Sequence, residues 1–154
     1  MNRYNNVLEM IGHTPIVRVQ HLDTGPCELY LKLESTNPGG SIKDRIALHM
    51  IEAAEKRGQL TAGATIVEGT AGNTGLGLAL VAQAKGYRLV LVIPDKMSRE
   101  KISTLKAMGA EVIITRSDVG KGHPEYYQDL AQQVADEMAA EGHNVYFINQ
   151  FANP

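Results

Sequence analysis

Hydrophobic and polar positions change period several times along the 154 residues. Asn6 ahead of Val7-Leu8-Glu9 reads as a capped short helix that Gly12 ends. Alternation with period two follows: Ile16 to Gln20 reads as a strand, Asp23 to Pro26 as a turn, and Glu28 to Glu34 as a second strand with Leu29, Leu31 and Leu33 on one face. Residues 42–57 switch to helical spacing, with Ile46, Met50, Ile51 and Ala54 as the buried stripe and Gly58 as the stop. Strand and helix then alternate. Thr65 to Glu68 is a strand, followed by a glycine-rich break and an Ala- and Leu-rich helix to Gly86. Arg88 to Ile93 is a continuous apolar strand, covered on both faces. Ser98 opens a helix with Ile102, Leu105 and Met108 inward, Glu111 to Thr115 is a strand, Glu125 to Glu141 a helix through Tyr127, Leu130, Val134 and Met138, and Val145 to Asn149 a last strand. This order predicts an α/β domain with a parallel sheet between helices.

Two breaks in the pattern carry candidate chemistry. In Asn37-Pro38-Gly39-Gly40-Ser41-Ile42-Lys43-Asp44-Arg45 a loop runs straight into a helix, with Ser41 able to cap and Lys43 in the first turn. A cation there opposes the helix dipole by about 0.3–1 kcal/mol, which favours the neutral amine, the form that attacks aldehydes. The plainer reading is a lysine that snorkels to solvent, although its place beside the buried stripe argues against a freely solvated amine. The second break is Gly69-Thr70-Ala71-Gly72-Asn73-Thr74-Gly75. Strand, glycine loop and helix start form an anion cradle of backbone N–H groups, to which Thr70, Asn73 and Thr74 add side-chain donors; the alternative is a tight turn with capping residues. It is neither a Walker A loop nor a Rossmann fingerprint, because a leucine stands where the third glycine would be in Gly75-Leu76-Gly77-Leu78-Ala79-Leu80. Gln150, at the C-terminal end of the last strand, is placed to reach the same anion.

Composition narrows the classes. Fifteen basic against seventeen acidic residues leave a net charge of -2 without a basic block, which speaks against nucleic acid and for a small-molecule partner. No apolar run approaches the length of a membrane span. The single cysteine, Cys27, forms no internal disulfide, is expected as a small packed residue, and with the absence of a signal-like N-terminus points to the cytoplasm. No Cys or His pair has metal-ligand spacing. The polar loop from Arg116 to Pro124 is the expected mobile segment.

Taken in order, Ile11-Gly12-His13-Thr14-Pro15, Leu31-Lys32-Leu33-Glu34, the Asn37 to Arg45 stretch, Glu68 to Gly75 and Asn149-Gln150-Phe151 resemble the cysteine synthase and cystathionine beta-synthase family, pyridoxal-phosphate enzymes of fold type II. The resemblance covers nearly the whole chain. It implies a three-layer parallel-sheet domain with pyridoxal 5'-phosphate as cofactor, Lys43 forming the internal aldimine and Asn73 hydrogen-bonding the 3'-oxygen of the pyridoxal. It implies that Thr70, Ala71 through its backbone N–H, Gly72, Thr74 and Gln150 hold the substrate's α-carboxylate, so that the Cα–H bond stands perpendicular to the ring and Lys43 can take its proton.

The reaction so implied is β-replacement on serine or an activated serine through an aminoacrylate, with sulfide or another thiol as second substrate, in a homodimer. Ala71 stands where the family commonly carries a serine, removing one hydroxyl contact. In the family, residues 1–36 would contribute a helix and two strands to the larger domain, residues 37–154 would form the N-terminal domain, and the phosphate cup would lie in a C-terminal domain that these residues do not contain. The leucine face of Leu29, Leu31 and Leu33 is then expected to lack its cover. The rival expectation is a non-catalytic α/β fragment, regulatory subunit or small-anion binder that keeps the cradle without the cofactor.

Overall fold

The computed structural model describes residues 3–153, so the expected domain end at Pro154 lies outside the described residues. The continuous apolar run forms the middle of the main sheet. Strand β4 (Arg88–Pro94) is buried along all but its first residue and lies between β3 (Thr65–Gly69) and β5 (Glu111–Thr115), with β6 (Val145–Phe147) on the far side of β3. All three pairings are parallel, in the order β5-β4-β3-β6. A parallel sheet must be covered on both faces, and two apolar clusters do this. On one face α1 (Lys43–Lys56), α2 (Asn73–Lys85) and α3 (Arg99–Ala107) bury Ile51, Leu78 and Leu105 against Ile66, Leu91 and Ile93. On the other, α4 (Tyr127–Ala140) sets Ala131 and Ala135 against Val67, Val90 and Val92.

The helix α4 sits differently from the expected Leu130, Val134 and Met138 stripe. Those three are half-buried at its flanks, and the small Ala131 and Ala135 face the sheet. The reason is close approach: a Cβ on Gly69 would lie 2.5 Å from the Tyr127 carbonyl oxygen and 3.1 Å from the Ala131 Cβ, so neither side tolerates bulk there.

The two N-terminal strands form their own sheet. β1 (Ile16–Arg18) and β2 (Tyr30–Lys32) pair antiparallel, with Val17 opposite Leu31. Both are shorter than the alternation predicts, since Leu33 turns into a short 3₁₀ turn at Glu34–Thr36. Leu29, Leu31 and Val17 stay substantially exposed, with 51% of Leu31 open to solvent. Cys27 corrects an expectation. It is exposed rather than packed, because the hairpin turn that carries it has no core beneath it.

A polar knot ties this hairpin to α1. Arg45 donates to both carboxylate oxygens of Glu34 at 2.7 and 2.9 Å and to the Gly12 carbonyl at 2.8 Å, while Asn37 donates to Glu34 and accepts from the Gly12 N–H. The Arg45 guanidinium first, then the Thr14 hydroxyl and the Asn37 amide, hold the Glu34 carboxyl down to about 2. The loop from Arg116 to Pro124 is held at several points: Arg116 chelates Asp118, and the Gly122 N–H donates to Asp129 at 2.6 Å. No described helix is long and apolar enough to cross a membrane.

Candidate functional site at the carboxyl edge of the sheet

Parallel strands deliver their C-terminal ends to one edge, and the crevice opens where successive connections leave in opposite directions. Here that point lies between β3 and β6, since the chain leaves β3 toward β4 and returns to its other side as β6. The loop at 69–75 and Gln150 meet at this edge. Asn149 is the sole described non-glycine residue with positive φ, at 49°, a conformation asparagine tolerates. That turn carries the chain back over the edge, and the Gln150 side chain reaches Thr74.

The start of α2 is open. Its N-cap position is Gly72, which supplies no capping side chain, so the first-turn N–H groups are free of any side-chain cap. The expected donors behave unequally. Thr70 is buried and its hydroxyl accepts from the Gly72 N–H at 3.3 Å, and Thr74 is buried and donates to Gln150 Oε1 at 2.7 Å. Ala71 and Asn73 are exposed, and Asn73 Oδ1 accepts from Lys101 Nζ of α3 at 3.4 Å. The structure thus pairs Thr70 with Gly72 and Thr74 with Gln150 around the start of α2 and leaves Asn73 exposed beside them.

Lys43 is the first residue of α1, half-buried, with its backbone N–H bound to Ser41 Oγ at 3.1 Å. No hydrogen bond or ion pair engages its amine among the described residues. Two contacts seat it. Asp44, fully buried, receives the Gly39 N–H at 2.5 Å and cinches the loop ahead of the helix. Gly77 lies one turn beyond Asn73, and a Cβ there would be 2.8 Å from the Lys43 carbonyl oxygen, so only glycine lets α2 come this close to the start of α1. Burial, with the nearby Glu34 charge, raises the Asp44 carboxyl, and the Gly39 N–H partly offsets this.

Glu68 belongs to the same edge and was not among the expected site residues. It is 2% exposed, its Oε1 accepts from Gln150 Nε2 at 3.2 Å, and its Oε2 has no partner among the described residues. Burial pushes its carboxyl up to about 7, against the lowering effect of the Gln150 side chain and the backbone N–H groups of Gln150 and Asn149. A cleft of about 320 Å³ beside it is lined by Lys121, Gln128, Asp129, Asn149 and Phe151 among others. A glutamate at a strand end reads as solvated, so its sequence carries no signal. Gly77 had one: a glycine inside a helix is costly and marks a close approach. Among the described residues no group of three His, Cys, Asp or Glu side chains is placed to hold a metal.

A family model described as pyridoxal-phosphate dependent enzyme matches residues 7–154. A cysteine synthase of Flavobacterium sp. (strain K3-15) is 48% identical over 153 residues, covering 99% of this chain and 47% of that protein. A cystathionine beta-synthase of Apis mellifera is 43% identical over 152 residues, 97% of this chain and 29% of its own. Among solved structures, a hydrogen sulfide-producing enzyme of Fusobacterium nucleatum superposes with a TM-score of 0.84 at 41% identity, covering 99% of this chain and 48% of that one. O-ureido-L-serine synthase does so with 0.83 at 40% identity, covering 99% and 46%. The chain therefore spans about half the length of the cysteine synthase and under a third of the cystathionine beta-synthase.

Proposed function

Since the chain belongs to the pyridoxal-phosphate dependent enzymes, we propose that it supplies the lysine-bearing part of a site for β-replacement on serine or an activated serine, with sulfide or another thiol as the incoming group. The relatives named cysteine synthase and cystathionine beta-synthase support that reaction class. The residues present suit the cofactor. A half-buried primary amine without a hydrogen-bond partner among the described residues is the donor that an aldehyde requires, and the uncapped start of α2 lies one turn from the glycine that seats it. Pyridoxal 5'-phosphate, when bound, supplies an electron sink for the carbanion left at the substrate's Cα.

The chain's own residues would then divide the work. Lys43 Nζ would hold the cofactor and would take the proton from the substrate's Cα. Asn73 would hydrogen-bond the cofactor's 3'-oxygen. The N–H group of Ala71, with Thr70, Gly72, Thr74 and Gln150, would grip the α-carboxylate, which fixes the direction of the Cα–H bond. The observation that carries this reading is the seating of Lys43 against Gly77 on the very helix whose open N-terminus bears Asn73 and Thr74.

Reconstitution of the chain with pyridoxal phosphate tests it. The wild type is expected to develop the near-visible absorbance of a lysine-bound cofactor and Lys43→Ala is not; identical spectra for the two would sink the assignment and favour a small-anion binder.

A further inference from the structure

Thr74, Gln150 and Glu68 form a chain of hydrogen bonds with a definite polarity. The Thr74 hydroxyl donates to Gln150 Oε1 and Gln150 Nε2 donates to Glu68 Oε1. Thr74 has one proton, and in this polarity it points away from the loop. Ala71 brings no hydroxyl, so the side-chain O–H donors of the cradle are Thr70, whose oxygen also accepts from the Gly72 N–H, and Thr74, whose proton is committed to Gln150. An amide is bipolar, and half a turn of the Gln150 carboxamide exchanges Oε1 and Nε2. Thr74 would then accept from Nε2 and its proton would be free for an anion at the start of α2. In that arrangement Oε1 faces Glu68 and needs a donor, which a neutral carboxyl supplies and a carboxylate cannot.

We propose that Glu68 is a positioning residue of the carboxylate cradle, relaying its own protonation through the Gln150 amide to the direction of the Thr74 hydroxyl. The inference rests on reading residues 69–75 as the site for the substrate's carboxylate. Binding of the carboxylate takes up one proton from solvent at Glu68, and loss of that proton turns the Thr74 donor away. No bond other than this O–H is made or broken.

The surroundings suit such a relay. Glu68 is buried, its second oxygen lacks a partner among the described residues, and burial pushes its carboxyl up to about 7, so both forms are populated around neutrality. From α4 the neighbouring titratable group is Tyr127, whose phenol burial pushes up to about 12, and which stays neutral throughout. Lys121 and Asp129 line the rim of the same cleft, β4 sets Leu91 alongside, and the β6 extension contributes Asn149 and Gln150. On the α1 side Arg45 and His49 share a cleft of about 350 Å³ with Gln150.

The test follows the Gln150 side-chain amide and the Glu68 carboxyl by NMR in the labelled, cofactor-free chain as pH is raised. Acetate is titrated at each pH as the carboxylate probe, read at the N–H groups of Ala71, Gly72 and Asn73. In the wild type the Gln150 amide is expected to move between two limits with the midpoint of Glu68, and acetate affinity to fall about tenfold between about pH 6 and about pH 8. Glu68→Gln, whose own amide can always donate to Gln150 Oε1, is expected to flatten both curves and to bind acetate at high pH as the wild type does at low pH. His49→Gln is expected to leave the wild-type curves in place.

A Gln150 amide that ignores the Glu68 titration, an acetate affinity with the wild-type pH profile in Glu68→Gln, absence of any acetate response at the loop, or loss of the titration in His49→Gln each overturn the proposal. Should Glu68→Gln fail to fold, the wild-type titration decides alone. A chain that takes no pyridoxal phosphate at Lys43 would sink the proposed function while leaving this experiment intact.

Discussion

Glu68 is a carboxyl that the sheet has taken out of water without a charged partner, and this has a cost in stability as well as a use. The unfolded chain releases its proton near 4.5 and the folded chain keeps it to about 7. Between those values the folded state binds more protons, so stability declines as pH rises through the window and is level above it, by at most about 3 kcal/mol. Glu68→Gln is therefore expected to melt higher than the wild type at pH 8 and to match it at pH 4, with the slope between 4.5 and about 7 absent; denaturant unfolding across the range checks this. Residue by residue, the candidate site was unevenly legible. Lys43, Thr70, Thr74 and Gln150 announce themselves by type and by place in a loop or strand end. Glu68 and Asp44 do not, because a carboxylate beside a glycine loop reads as solvated until the fold shows 2% and 0% exposure.

At the scale of elements, the contact of α1 with α2 decides where the lysine stands. Gly77 in the interior of α2 costs roughly 1 kcal/mol of helix propensity relative to alanine, and the return is the approach of the Lys43 carbonyl. Gly77→Ala is expected to destabilise the domain by about 1–3 kcal/mol through overpacking and to weaken the lysine-bound cofactor absorbance beyond what thermal unfolding accounts for. A full-strength spectrum in a folded variant would show that the seat is not needed. Helix and strand order along residues 43–147 followed from periodicity, because apolar runs and glycine stops set element type locally. The face that α4 turns to the sheet did not. Periodicity points to its large residues, whereas the space left beside Gly69 admits only Ala131 and Ala135.

At the scale of the whole molecule, the hairpin of β1 and β2 is the unbalanced part. Val17, Leu29 and Leu31 share one face and are 47%, 38% and 51% exposed, on a two-stranded sheet that marginally stabilises itself. Apolar area of this kind seeks cover. The 154-residue chain is expected to self-associate through it in sedimentation at micromolar concentration, and Val17→Thr with Leu31→Thr is expected to restore the monomer; a monomeric wild type would count against this. The knot of Arg45, Glu34, Asn37 and Gly12 holds the hairpin to α1 regardless.

Sequence alone determined what depends on neighbours in the chain: the alternation of strand and helix, the glycine loops that start α1 and α2, and a lysine in a first helical turn. Those follow from backbone sterics and local periodicity, which act over a few residues. Tertiary structure alone decided which distant groups share an environment. Thr74 and Gln150 lie 76 positions apart and Gln150 and Glu68 lie 82 apart, and the distance closes only because parallel strands deposit their ends at one edge. Burial there raises the Glu68 carboxyl, and the bonds of Gln150 to Thr74 and Glu68 set the polarity of its amide, neither of which a residue carries by itself.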